Sequence, residues 1–148
     1  NIVEPIVMRD PSPSRGDALP EIREKLRLQA SKVFEEVARR FAQAWGSIHG
    51  VRFNVVGRFE HRGVEIDVVG VSRAKGEVHL FEVKWRDVDV GEARRIIADL
   101  ERKAAHLPHH LAGHTIVPHM VVKKCIGCEA VGRERAYIHS LEEVIELT

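Results

Sequence analysis

Two apolar runs carry polar residues that do not belong in a buried strand: Asp67 interrupts VEIDVVGV, and Glu82 and Lys84 interrupt HLFEVKW. Side chains alternate faces along a strand, so Glu82 and Lys84 project from one side while Phe81, Val83 and Trp85 project from the other. If the two runs pair as a hairpin, Asp67 can face the Glu82 side. Two carboxylates and an ammonium would then share a rigid sheet surface, an arrangement that holds a divalent cation beside a phosphate. Magnesium takes hard oxygen ligands and only one or two protein carboxylates directly, a count that Asp67 and Glu82 meet. The competing reading is a solvated face: Glu and Lys two apart occur often on the wet side of a half-buried sheet. Asp67 resists that reading, because Asp is poorly suited to a strand interior flanked by Ile66, Val68 and Val69.

The elements that must position these residues follow from periodicity. Val64 to Trp85 predicts two strands joined by a polar turn over Ser72, Arg73, Ala74, Lys75 and Gly76. Upstream, Val51 to Glu60 alternates as a strand, with His61, Arg62 and Gly63 as a turn. From Pro20 to Trp45 apolar residues recur at three- and four-residue steps, which predicts one long amphipathic helix or two broken near Ala30, with Gly46 as the stop. Glu35 falls at the border of its apolar stripe and Glu36 points away, so Glu35 is the better candidate for a site carboxylate; the alternative is a solvated flank paired to Arg39. Downstream, Asp89 with Glu92 resembles a capping box for a helix to about Leu107, stopped by Pro108. Its other face carries Arg94, Arg95, Arg102 and Lys103, some of which could meet phosphate, though a charged helix face is more often only solvated. Thr115 to Lys124 reads as a strand that Pro118 confines to an edge or shortens to begin near Met120. Arg135 to His139 gives one more short strand, and Ser140 with Glu143 caps a terminal helix to Leu147.

The spacing of Asp67, Glu82, Val83 and Lys84 resembles the PD-(D/E)XK nuclease superfamily, and the wording GVEIDVV and LFEVKW is similar to the nuclease-like domain that follows the P-loop in a family of archaeal ATPases. One departure is Ile66, where a Pro often precedes the Asp. The resemblance implies an α/β fold with a restriction-endonuclease-like core, ordered helix, three-strand antiparallel meander, helix, strand, with a mixed central sheet and helices on both faces. It implies a deoxyribonuclease dependent on Mg2+ or Mn2+, leaving a 3′-hydroxyl and a 5′-phosphate. Asp67, Glu82, the Val83 carbonyl and Glu35, in the segment SKVFEEV, would be metal ligands, and Lys84 would orient or polarise the attacking water. DNA is the implied partner, with an ATPase domain or subunit and a homodimer as further expectations. The alternative is a non-catalytic DNA-binding or assembly module of the same fold, and a third reading is a protein-interaction domain serving an ATPase.

Bulk properties set bounds. A chain of 148 residues with 44% hydrophobic content suffices for one domain with a core, expected over 20–148 after an irregular, Pro-containing lead-in at 1–19. The apolar Ile2, Val3, Ile6, Val7 and Met8 within that lead-in could add a short strand. Net charge is +1, so any nucleic-acid surface must be local. No apolar run reaches the length of a membrane span, no secretory pattern opens the chain, and a soluble cytoplasmic protein is expected. Charged residues make up 30% while Asn and Gln are scarce, a bias of proteins from hot environments. Cys125 and Cys128 form one CxxC, compatible with free thiols, a disulfide or half a zinc site. None of the nine histidines is spaced to join the carboxylates, so none receives a catalytic role.

Overall fold

The computed structural model describes residues 19–129, 131 and 136–148; residues 1–18 of the expected lead-in and the start of the expected last strand lie outside the described residues. The chain divides into two compact units, Asn1–Glu36 and Val37–Thr148. The sheet and the site belong to the second.

The expected N-terminal helix is a single α-helix, α1 (Leu19–Ile48), with no break near Ala30. It also runs past Gly46. Its terminus is a left-handed residue, Gly50 at φ 71°, after which Val51 N–H donates to Gly46 O at 2.7 Å, satisfying a carbonyl that the helix itself leaves open. Gly46 is needed for a different reason: a Cβ there would lie 2.6 Å from Val51 O. Because Val51 closes the helix, the first strand starts later than its alternation suggests.

That strand is β1 (Val55–His61), followed by β2 (Val64–Ser72) and the long β3 (Glu77–Asp89). Asn54 sets the start, its backbone N–H donating to Val71 O at 2.7 Å and its side chain accepting from Arg73 N–H at 2.8 Å. A crossover helix, α2 (Val90–Lys103), then leads through 3-10 turns at Ala104–His106 and His109–Leu111 to β4 (Thr115–Ile126). A short β5 (Tyr137–His139) and α3 (Leu141–Leu147) close the chain. Both predicted caps form: Asp89 accepts from Glu92 N–H at 2.8 Å and Ser140 from Glu143 N–H at 3.3 Å.

The five strands lie in sequence order, β1 to β3 antiparallel and β3, β4 and β5 parallel. This is the mixed sheet and the order helix, meander, helix, strand expected of the fold. Pro118 sits inside β4, opposite Leu80 of β3, whereas β5 pairs only with His119 to Val121. At Pro118 the strand therefore has one neighbour, and its missing N–H removes no bond on the other side.

Alternation sends the core to both faces. Val68, Phe81 and Val121 pack under Phe41, Ala42 and Trp45 of α1 and Val144 of α3. On the opposite face Leu80 packs with Leu100, and Met120 and Val122 with Ala93 and Ile96, the last two and Leu100 all from α2. Each fully buried aromatic or branched side chain removed from water stabilises the fold by roughly 1.5–3 kcal/mol. Among the described residues, no helix is long and apolar enough to cross a membrane.

Candidate active site

The site begins where β2 and β3 part. Their pairing runs from Ser72 opposite Glu77 to Val68 opposite Phe81 and goes no further. On the other side of β2, the register with β1 shifts between Gly57 and Phe59, a bulge that places Ile66 and Val69 in one core cluster and Val68 in the other. Asp67 stands at this irregularity. Its Oδ2 accepts from Val83 N–H at 2.8 Å, so its carboxylate takes over where the backbone ladder between the strands stops. Its Oδ1 lies 3.7 Å from the Arg58 guanidinium, which also pairs with Glu65 at 3.0 Å.

Glu82 follows on β3, on the face covered by α2. It is buried, at 8% exposure, and its Oε2 is 3.5 Å from Lys84 Nζ while its Oε1 is 3.7 Å from Lys103 Nζ. That Oε1 is enclosed and accepts no hydrogen bond. Burial raises the Glu82 pKa first and the Asp67 charge raises it further, against the smaller opposing pull of Lys103 and Lys84. Lys84 is more open, its side chain 40% exposed.

The structure thus brings Asp67, Glu82, Val83 and Lys84 together as the alternation of β3 requires. Glu35 is half-buried on α1 and belongs to the N-terminal unit, while the other four belong to the second. Two cations escaped the sequence reading. Lys103 was placed on the outer face of its helix, yet it follows Leu100 by three positions and Ile96 by seven, the spacing of the buried stripe, and that is the signal that finds it. Arg58 left no such trace, since only the bulge in β2 brings it to Asp67. Arg102 pairs with Asp99 at 3.1 Å, and Arg86 pairs with Glu92.

An acidic pair with an enclosed carboxylate oxygen that accepts no hydrogen bond fits a hard divalent cation, which would supply the close partner that Oε1 lacks. Among the described residues no group of three or more His, Cys, Asp or Glu is gathered as metal ligands. Beside the site a cavity of about 470 Å³ is lined by Arg58, Phe59, Val69, Val71, Arg73 and Leu111, among others, with no carboxylate among its described lining. Cys125 and Cys128 are joined as a disulfide with a Cα separation of 5.6 Å, at the end of β4.

The chain is 34% identical over 74 residues to an uncharacterized protein of Methanocaldococcus jannaschii, a match that takes in 49% of this chain and 17% of the relative's length. The chain therefore spans only a small part of that relative. Among solved structures it is similar to a repair endonuclease from Pyrococcus abyssi, with a TM-score of 0.37 and 18% identity, over 61% of this chain and 38% of the other. Residues 11–96, more than half of the sequence, match the family model DUF234, described as archaea bacterial proteins of unknown function, and the chain belongs to that family.

Proposed function

We propose that this domain is a metal-dependent nuclease of the PD-(D/E)XK kind, hydrolysing DNA phosphodiesters as part of a larger ATPase-associated protein. The observation that carries the reading is the enclosed Glu82 Oε1, which accepts no hydrogen bond and shares its site with Asp67. Asp67 and Glu82 would hold Mg2+ or Mn2+ with the Val83 carbonyl, and Glu35 is the further ligand that the resemblance implies. When bound, the ion neutralises phosphoryl oxygens and lowers the pKa of a coordinated water. The chain's own contribution is positioning. Val83 N–H fixes the Asp67 carboxylate, and the exposed Lys84 ammonium is free to turn a donor toward the attacking water or the developing charge. Arg58 and Arg73 give the adjoining cavity a cationic lining suited to a phosphate-bearing strand.

A second reading, a DNA-binding or assembly module without hydrolysis, is favoured by one observation: Glu82 already faces two ammonium groups, Lys84 at 3.5 Å and Lys103 at 3.7 Å, which offset its charge without a metal. The two readings part in one experiment. Single-stranded, double-stranded and branched DNA are incubated with the protein and Mg2+, Mn2+ or chelator, alongside Asp67→Ala, Lys84→Ala and Glu35→Gln. The enzyme reading expects cutting that chelator abolishes and that Asp67→Ala and Lys84→Ala each lower by about a hundredfold or more. Salt-sensitive binding that survives both substitutions, with no cutting under either metal, establishes the module instead. Glu35→Gln then decides whether the N-terminal unit contributes a ligand.

A further inference from the structure

Three histidines are buried in the second unit, His79 and His139 at 2% exposure and His119 at 0%. They stand on the adjacent strands β3, β4 and β5, on the face covered by α1 and away from Glu82. Together with two carboxylates they form an unbroken line. Glu77 Oε1 is 3.0 Å from His79 Nε2, and His79 Nδ1 is 2.7 Å from His119 Nε2. His119 Nδ1 is 2.8 Å from His139 Nε2, and His139 Nδ1 is 2.9 Å from Glu143 Oε2. All six ring nitrogens are engaged. The setting is aromatic: Phe81 stacks on His119 at 4.0 Å and Tyr137 at 4.9 Å, while Trp45 and Phe41 meet the edges of His119 and His139 at 4.6 and 4.8 Å.

Counting hydrogens gives the line a property that none of its members has alone. Each of the four contacts needs one hydrogen between its two heavy atoms. Ionised carboxylates bring none, and a neutral imidazole brings one and accepts one. Three neutral rings thus fill three contacts and leave the fourth with two lone pairs face to face at a buried ring nitrogen, a costly arrangement. We propose that Glu77, His79, His119, His139 and Glu143 form a buried proton relay that holds one proton more than three neutral imidazoles and two carboxylates carry. The extra proton sits on a ring, since imidazole is about two pH units more basic than a carboxylate.

Two arrangements of the relay are equivalent in count. With the charge on His139, both its nitrogens donate, to Glu143 and to His119 Nδ1, and His119 Nε2–H donates to His79. Passing one proton from His139 Nε2 to His119 Nδ1 and one from His119 Nε2 to His79 Nδ1 moves the charge to His79. The protons balance, and the central ring changes only its tautomer. Burial holds the His119 pKa well below the ordinary range, and the flanking His139 and His79 lower it further, so the central ring is a poor seat for the charge. Burial also lowers His79, against Glu77, which favours its charged form. The charged or titratable groups that face the rings are Glu77 from β3, His49 from the end of α1, Tyr137 from β5 and Glu143 from α3. Because His139 and Glu143 tie β5 and α3 to β4, losing the extra proton loosens the C-terminal end of the sheet. Unfolded histidines are neutral above about pH 6.5, so from there upward the folded chain binds more protons and stability falls as pH rises through the relay's own pKa.

The test uses the full chain labelled with 15N in its histidines. Long-range proton–nitrogen NMR spectra at about pH 7.5 should show four protonated nitrogens among the six of His79, His119 and His139. Three or fewer overturns the proposal. Glu143→Gln supplies its own N–H to His139 Nδ1, which removes the need for the extra proton. In that variant the ring count should fall to three. A fall in thermal midpoint of roughly 4 °C between about pH 6.5 and 9 in the parent should also vanish. An unchanged slope in Glu143→Gln overturns the relay, because a purely structural network would keep it; if the variant does not fold, the count in the parent decides alone.

Discussion

At the residue scale, Glu82 is a cost to the fold. Its pKa is raised by burial and by Asp67, so the folded state holds its proton more tightly than the unfolded chain does, and stability declines as pH rises from the ordinary carboxylate range through the raised value. Glu82→Gln keeps the shape and removes the charge. It should raise the thermal midpoint at neutral pH by about 2–4 °C, with the gain absent near pH 4, while eliminating metal-dependent cutting. Addition of Mn2+ to the parent should recover a similar shift, since a ligand bound only to the folded state stabilises it by mass action. A midpoint that drops in Glu82→Gln would mean that the pairing with Lys84 and Lys103 outweighs the burial. Asp67 and Glu82 were legible from the sequence because each is a carboxylate in a run of β-branched and aromatic residues. The histidines were not. Their meaning depends on register between strands distant in sequence, as where His119 lies opposite Phe81 and Tyr137, and no single-strand pattern reports that.

Element boundaries obey local hydrogen bonds that periodicity does not see. The first strand was expected from Val51 and begins at Val55, because Val51 N–H is spent on closing α1. The crossover helix was expected to reach Leu107 and ends at Lys103, its last turn tightening into a 3-10 segment before Pro108. In each capping motif the acidic partner also makes a contact outside its own helix start, Glu92 with Arg86 and Glu143 with His139. Two glycines in the meander separate packing from conformation. A Cβ on Gly70 would meet the Phe53 ring at 3.0 Å, whereas one on Gly57 meets nothing within 4 Å. Gly70→Ala should therefore destabilise by about 1–2 kcal/mol, and Gly57→Ala should stay within about 0.5 kcal/mol. Equilibrium denaturation in urea measures both, and equal effects would show that Phe53 yields without cost.

For the molecule as a whole, protection follows from depth in the sheet. In the second unit β3 has neighbours on both sides and helices over both faces, and Val78, Leu80 and Phe81 are fully buried. Among the described strands β1 lies at the edge, and Val55 is 55% exposed. Hydrogen exchange should proceed slowest in β3 and the adjoining part of β4, and much faster in β1; comparable rates would mean that the unit opens only globally. The overall fold was legible because its order of elements is set by alternation, turns and caps, each a local property. The division at Glu36 was not, since one uninterrupted helical pattern runs through it.

The strands occupy the sheet in the order in which the chain presents them. A polypeptide emerging from the ribosome can therefore lay each new strand against the outer side of the previous one, with no gap to be held open for a later arrival and no segment to be threaded back. Without β5 the edge of β4 would lie bare to the next passing chain over His119 to Val121, the stretch that Tyr137–His139 covers.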